Sequence, residues 1–131
     1  MGSDRATSCP EAAALALLGT NVLLAPEQHV VLDADPTHAR ELARNAVSHY
    51  LGLTNYTANW RRLGFTDQDI AGTGSDRLVD GLVAMGDAQQ LAARIEAHLS
   101  AGADHVCIQL ITPESANPLP GLTELAKLLI T

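Results

Sequence analysis

Aromatic side chains are scarce, making up 3% of the 131 residues, while hydrophobic residues reach 47%. The apolar content is therefore mostly alanine and leucine, which favours helices over a sheet-rich sandwich. There are only two cysteines, Cys9 and Cys107. They lie far apart, so free thiols in a reducing, cytoplasmic setting are the simpler expectation. Basic residues are few as well, 8 against 15 acidic ones, for a net charge of −7. Only Arg61 and Arg62 are adjacent, and a phosphate backbone needs clustered cations to displace its counterions, so no nucleic acid is expected. No apolar run approaches the roughly 18 residues of a membrane span. The start, Met1-Gly2-Ser3-Asp4-Arg5, is not followed by a signal-peptide core, and Ala6 breaks the myristoylation pattern. A zinc site is not expected either. His105 and Cys107 alternate on one segment, but no second pair stands at ligand spacing, and His29, His38, His49 and His98 form no metal-binding repeat. Nothing resembles a nucleophile elbow, and no catalytic residue is assigned.

What is present is a series of capped helices around short apolar runs. Residues 1–9 read as an unstructured start, and 10–131 as one domain. Ser8-Cys9-Pro10-Glu11 fits a capping box before the Ala- and Leu-rich run 12–18, with Gly19 as a left-handed stop. Gln28–Leu32 is short, β-branched and apolar, as a buried parallel strand should be. Asp35-Pro36 opens a helix as N-cap and first residue, with Leu42, Ala46, Val47, Tyr50 and Leu51 at helical spacing. Asn55–Leu63 reads as a short helix stopped by Gly64, and Thr66 caps a further turn. Ser75 caps a helix bearing Leu78, Val79, Leu82 and Val83, ended by Gly86. Asp87 caps the next helix, with Leu91, Ile95 and Leu99 facing inward. His105–Ile111 is the second strand, and Leu119–Ile130 the last helix.

The expected fold class is thus α/β and mostly helical, with about two parallel strands and five or six helices. Strands separated by helices pair in parallel, because no hairpin joins them. Two such strands alone leave open edges that call for neighbours.

Several segments resemble one subfamily of the luciferase-like oxidoreductases, assigned to the deazaflavin coenzyme. They are Leu23–Gln28 running into Val30-Val31-Leu32, Asp35-Pro36 with Ala39-Arg40, and Tyr50-Leu51 through Asn55-Tyr56 and Asn59-Trp60 to Arg62–Phe65. Gly74–Asp80, Gly86-Asp87, Gly102–Cys107 and Pro118–Pro120 continue the likeness. The resemblance implies the C-terminal part of a (β/α)₈ barrel. Gln28–Asp33 then looks like the seventh strand, His105–Ile111 like the eighth, and the helices between them like an insertion. The first six strands are absent from that frame.

In a barrel the active site lies at the carboxyl ends of the strands. That selects Asp33, Ala34 and Asp35 after the first strand, and Gln109, Thr112, Pro113 and Glu114 with the second. Gln109 either orients a cofactor ring through its amide or packs inward with that amide satisfied. Asp33 and Asp35 also read as helix caps. Gly72-Thr73-Gly74-Ser75 before a helix, with Arg77 nearby, presents N–H groups suited to the phosphate-bearing tail of such a coenzyme, or is an ordinary loop with a serine cap. The cofactor-binding candidates are accordingly Gln109, Gly74, Ser75 and Arg77. Trp60 and Phe65 read as anchors for the insertion helices, with ring stacking on a ligand as the alternative.

By resemblance, the function is that of a deazaflavin- or flavin-dependent oxidoreductase, working by hydride transfer or as a monooxygenase. Coenzyme F-420 is the expected cofactor, with FMN as the alternative, and the substrate is a small molecule. Most of the active site belongs to the missing half. The alternatives are a non-catalytic half-barrel that pairs with itself or with a complementary chain, and an inactive truncated relic.

Overall fold

The computed structural model describes residues 14, 16–19, 21–113 and 116–130. The unstructured start, the Ser8–Glu11 capping box and Glu114 lie outside these residues. Ala14 and Ala16–Leu18 are helical, and Gly19 ends the turn at φ +84°. After them the order is β1 (Glu27–Leu32), α1 (Pro36–Ser48), α2 (Thr54–Arg62), α3 (Asp67–Ile70) and α4 (Asp76–Leu82). β2 (Val83–Gly86), α5 (Ala88–Ser100), β3 (Cys107–Leu110) and α6 (Leu119–Leu129) complete it. The chain is α/β, with a three-stranded parallel sheet in the order β2-β1-β3.

Four of the expected helix starts have an N-cap side chain as acceptor for their first free N–H groups, while α2 and α6 begin without one. Asp35 accepts from Thr37 N at 3.0 Å, and Ser75 from Leu78 N at 3.0 Å. Thr66 with Asp69, and Asp87 with Gln90, form complete capping boxes.

Several expectations are corrected, among them Leu99, which is 43% exposed instead of facing inward. Val83 does not continue the helix to Gly86; α4 stops at Leu82 and Val83–Gly86 is a third strand. It pairs His29 with Val83 and Val31 with Met85, while β3 pairs His29 with Gln109 on the other side. β1 is therefore the central strand. β3 is also shorter than the expected His105–Ile111.

Strand alternation divides the core in two. Val31 and Val83 point to one face, packed with Ala39, Ala43, Val47, Trp60, Leu78 and Val79 of α1, α2 and α4. Val30 and Ala84 point to the other, packed with Leu91, Ile95 and Leu125 of α5 and α6. Helices thus stand on both faces of the sheet, the layering of an open doubly wound sheet. Arg40 clamps α1 to α4 through Asp80, at 3.0 and 2.8 Å, in the two-point geometry that suits guanidinium and carboxylate. Among the described residues no helix is long and apolar enough to cross a membrane.

Candidate functional site

This layering fixes where a ligand-sized crevice opens. The helix after β1, α1, lies on one face, whereas α6, after β3, lies on the other. In open α/β sheets, the gap between two such strands at their carboxyl ends is where ligands sit. A crevice of about 380 Å³ occupies that position, lined by Asp33, His38, Thr112, Asn117, Gly121 and Glu124 among others. Its floor is tight. A Cβ on Gly121 would meet Leu110 Cδ2 at 2.8 Å and Leu32 Cδ2 at 3.4 Å, so glycine lets α6 approach the strand ends.

The chemistry of the crevice centres on Asp33 and His38. Asp33 leaves the end of β1, where its N–H donates to Gly86 O at 3.0 Å. Its Oδ1 accepts from Asp35 N at 2.9 Å, and its Oδ2 bonds His38 Nδ1. His38 is the third residue of α1, a position whose side chain folds back over the preceding loop. The hydrogen bond to Asp33, then its charge, raises the His38 pKa above 6.5; the bond from His38, then that from Asp35, lowers Asp33 below 3.8. The two are thus oppositely charged from about the ordinary carboxylate range to above the ordinary histidine value. The stabilisation from His38 is full below 6.5 and lost as pH rises through its raised value. That from Asp33 is present above 3.8 and lost as pH falls. With Nδ1 held by the carboxylate, Nε2 is the nitrogen left to exchange a proton or hydrogen-bond a ligand. Replacing Asp33 with asparagine is expected to return the His38 titration midpoint, followed by proton NMR of the ring, toward 6.5. An unchanged midpoint would contradict the pairing.

The neighbouring crevice between β1 and β2 offers less. Of its charged groups, Arg40 and Asp80 satisfy one another and Asp33 is shared with the first crevice, where it bonds His38, while Gln90 is taken by the Asp87 capping box.

The structure does not bring the sequence-derived candidates together. Thr112 and Pro113 line the crevice with Asp33, and Ala34 lines the adjoining one. Asp35 is a helix cap. Gln109 is exposed on β3, one residue before its carboxyl end, and pairs in register with His29. Gly74 and the N-cap Ser75 precede α4 and Arg77 lies in its first turn; this helix packs on α1 and β2, across the sheet from β3. The polar groups of Ser75 and Arg77 converge on Asp69, while Gly74 N donates to Ala71 O at 3.2 Å. Ser75 Oγ donates to Asp69 Oδ1 at 2.7 Å, and Ser75 N donates to Asp69 O at 2.8 Å. Arg77 bonds Asp69 Oδ2, donates to Gly64 O at 3.3 Å, and lies 5.0 Å from the centre of the Phe65 ring. Asp69 is only 8% exposed, and the bonds from Thr66 N and Ser75 Oγ hold its pKa down to about 2. An internal carboxylate thus stands where the phosphate of a coenzyme tail was expected. Gly74 keeps its structural role in the turn, at φ +89°.

His38 is the residue that sequence reasoning missed. The signal was an aspartate two residues before an Asp-Pro helix start, with a histidine at the third helical position. Among the described residues, no group of three or more His, Cys, Asp or Glu side chains is placed to hold a metal. In comparisons with protein-family models, curated proteins and solved structures, nothing matches this chain.

Proposed function

We propose that this chain is the C-terminal part of a deazaflavin- or flavin-dependent oxidoreductase of the luciferase-like kind, and that it contributes the β1–β3 crevice to the cofactor site. The observation that carries this reading is the Asp33–His38 pair, set beside Thr112 at the carboxyl ends of two adjacent parallel strands. β1 and β3 pair directly, as the seventh and eighth strands of a barrel would. In a closed barrel the helices stand outside the strands, whereas here α1 and α6 cover opposite faces of the sheet, so on this reading one helical layer leaves the sheet when the barrel closes. On this reading, β2 takes, in the chain by itself, the edge of β1 that a preceding barrel strand occupies.

The crevice fits the ring end of such a cofactor better than its tail. It offers a histidine, a threonine hydroxyl, an asparagine amide and two carboxylates, and among the described residues no lysine or arginine lines it. The ring system, when bound, supplies the hydride chemistry, while the protein supplies orientation and electrostatics. His38 holds or passes a proton at Nε2, and Asp33 keeps the imidazole oriented. The phosphate-bearing tail is met by the remainder of the barrel. Titrating the chain with coenzyme F-420 and with FMN is expected to quench cofactor fluorescence saturably. His38→Ala is expected to weaken that binding roughly tenfold, the equivalent of one lost hydrogen bond to a charged group. Absence of saturable quenching by either cofactor overturns the proposal.

A second reading, a module that pairs with itself or with a complementary half-barrel, is favoured by β3. Cys107 and Gln109 are exposed on one side of this strand, and among the described residues nothing pairs with its outer edge. Parallel strands are ordinarily covered on both faces. Light scattering separates this reading: a concentration-dependent dimer supports it, and a monomer at all concentrations opposes it.

A further inference from the structure

The sequence has four large aromatic residues, two Tyr, one Trp and one Phe, and three of them line one pocket. It lies toward the amino end of β1, on the face covered by α1 and α2, away from the Asp33–His38 crevice. Its volume is about 240 Å³, and its walls include Glu27, His29, Tyr50, Tyr56, Asn59 and Trp60. The rings are inclined rather than stacked flat. Tyr50 and Tyr56 have centroids 4.6 Å apart at 47°, and Tyr56 and Trp60 6.3 Å apart at 57°. His29 meets Tyr50 edge to face at 5.9 Å and 64°. Trp60 is buried at 5% exposure, so it anchors α2, but Tyr56 remains 40% exposed. A cluster meant only to fill the core would close over these rings; here they border open space.

The charge around them selects the occupant. Among the described residues the lining contains one carboxylate, Glu27, with its side chain 48% exposed, and neither lysine nor arginine. Glu27 stands 3.5 Å from His29 Nε2. Aromatic faces carry negative quadrupole density and attract a cation within about 6 Å of the ring centre. Ala46 and Val47 place the carboxyl end of α1 at the pocket wall, and this end of a helix also favours positive charge. The chain as a whole is acidic, at −7.

We infer that this pocket binds a small organic ammonium cation, its head against Tyr50, Tyr56 and Trp60 and its charge balanced by Glu27. The site is separate from the proposed cofactor crevice, and neither depends on the other.

Trp60 is the single tryptophan, so its emission reports occupancy without labelling. The full chain is titrated with choline and, in parallel, with 3,3-dimethylbutan-1-ol, the uncharged carbon counterpart of choline, at matched ionic strength. Choline is expected to change Trp60 emission saturably in the millimolar range, and the neutral alcohol to bind at least threefold more weakly. Tyr56→Phe keeps a ring and is expected to retain binding. Tyr56→Leu is expected to weaken it roughly tenfold and Glu27→Gln roughly threefold, in line with desolvated and exposed cation contacts. Circular dichroism confirms that each variant is folded before it is compared. No saturable response up to tens of millimolar choline overturns the inference. Equal binding of choline and its neutral counterpart also overturns it, because the pocket would then be apolar only.

Discussion

Replacing Leu78 with alanine is expected to lower the unfolding free energy by about 2–5 kcal/mol, since it empties part of a close-packed core. Leu78 has no exposed surface and sits among Val31, Val79 and Val83 on the α1 side of the sheet. A domain of ordinary size is stable by only about 5–15 kcal/mol, so this one substitution removes a large share. Leu91→Ala on the opposite face is expected to cost a similar amount, for Leu91 is also fully buried. The two cores are not independent. Val31 enters one and Val30 the other from adjacent positions of β1, so neither face unpacks while the central strand stays in place. Each variant is therefore expected to shift one cooperative transition in a denaturant titration. Two separated transitions, or a midpoint unmoved by either substitution, would contradict the shared-strand arrangement.

Replacing Asp69 with asparagine is expected to have the other large effect, and to change how stability depends on pH. Asp69 accepts from Thr66 N at 2.9 Å, from Thr66 Oγ1 at 3.1 Å and from Ser75 Oγ at 2.7 Å, and bonds Arg77. An asparagine amide turned toward Thr66 N or Arg77 would set donor against donor. Its folded pKa of about 2 lies below the ordinary 3.8. A lowered acid contributes stability that is present above the unfolded value and lost as pH falls through the folded one. The parent chain should therefore weaken between about pH 4 and pH 2, and the variant should lose that part of the acid dependence and start weaker at neutral pH. Asp67→Ala is the control. Asp67 is 87% exposed and pairs only with the exposed Arg61, at 2.9 Å, so its removal should leave the midpoint unchanged. Identical acid curves for the parent and Asp69→Asn would contradict the role assigned to Asp69.

Most of the fold was legible because its signals are local. An Asp-Pro pair, a Ser, a Thr and an Asp before apolar-periodic stretches mark helix starts whose caps are satisfied as expected. β2 was not legible. Leu78, Val79, Leu82 and Val83 repeat at helical spacing, and Gly81 lies inside the helix rather than after it. Val83–Gly86 lies in a parallel sheet covered on both faces around it, so it shows no alternation to separate it from the helix it follows. Missing β2 also hid the central position of β1. The candidate site was legible only in part. Choosing the carboxyl ends of strands located Asp33 and Thr112, but the return of His38 onto Asp33 depends on the geometry of the first helical turn. The Gly74-Ser75-Arg77 segment supports two readings, a phosphate site or an ordinary loop with a serine cap, and Ser75 does cap α4. The groups that recognise a phosphate also recognise a carboxylate, and Asp69, five residues before Gly74, provides one within the chain.

The most direct test of the proposed site is residue-by-residue amide NMR of the chain while coenzyme F-420 is added. The account predicts saturable shifts at Asp33, His38, Thr112 and Asn117, around the crevice between β1 and β3. Shifts gathered instead at Gly74, Ser75 and Arg77, or none at saturating coenzyme, would contradict it.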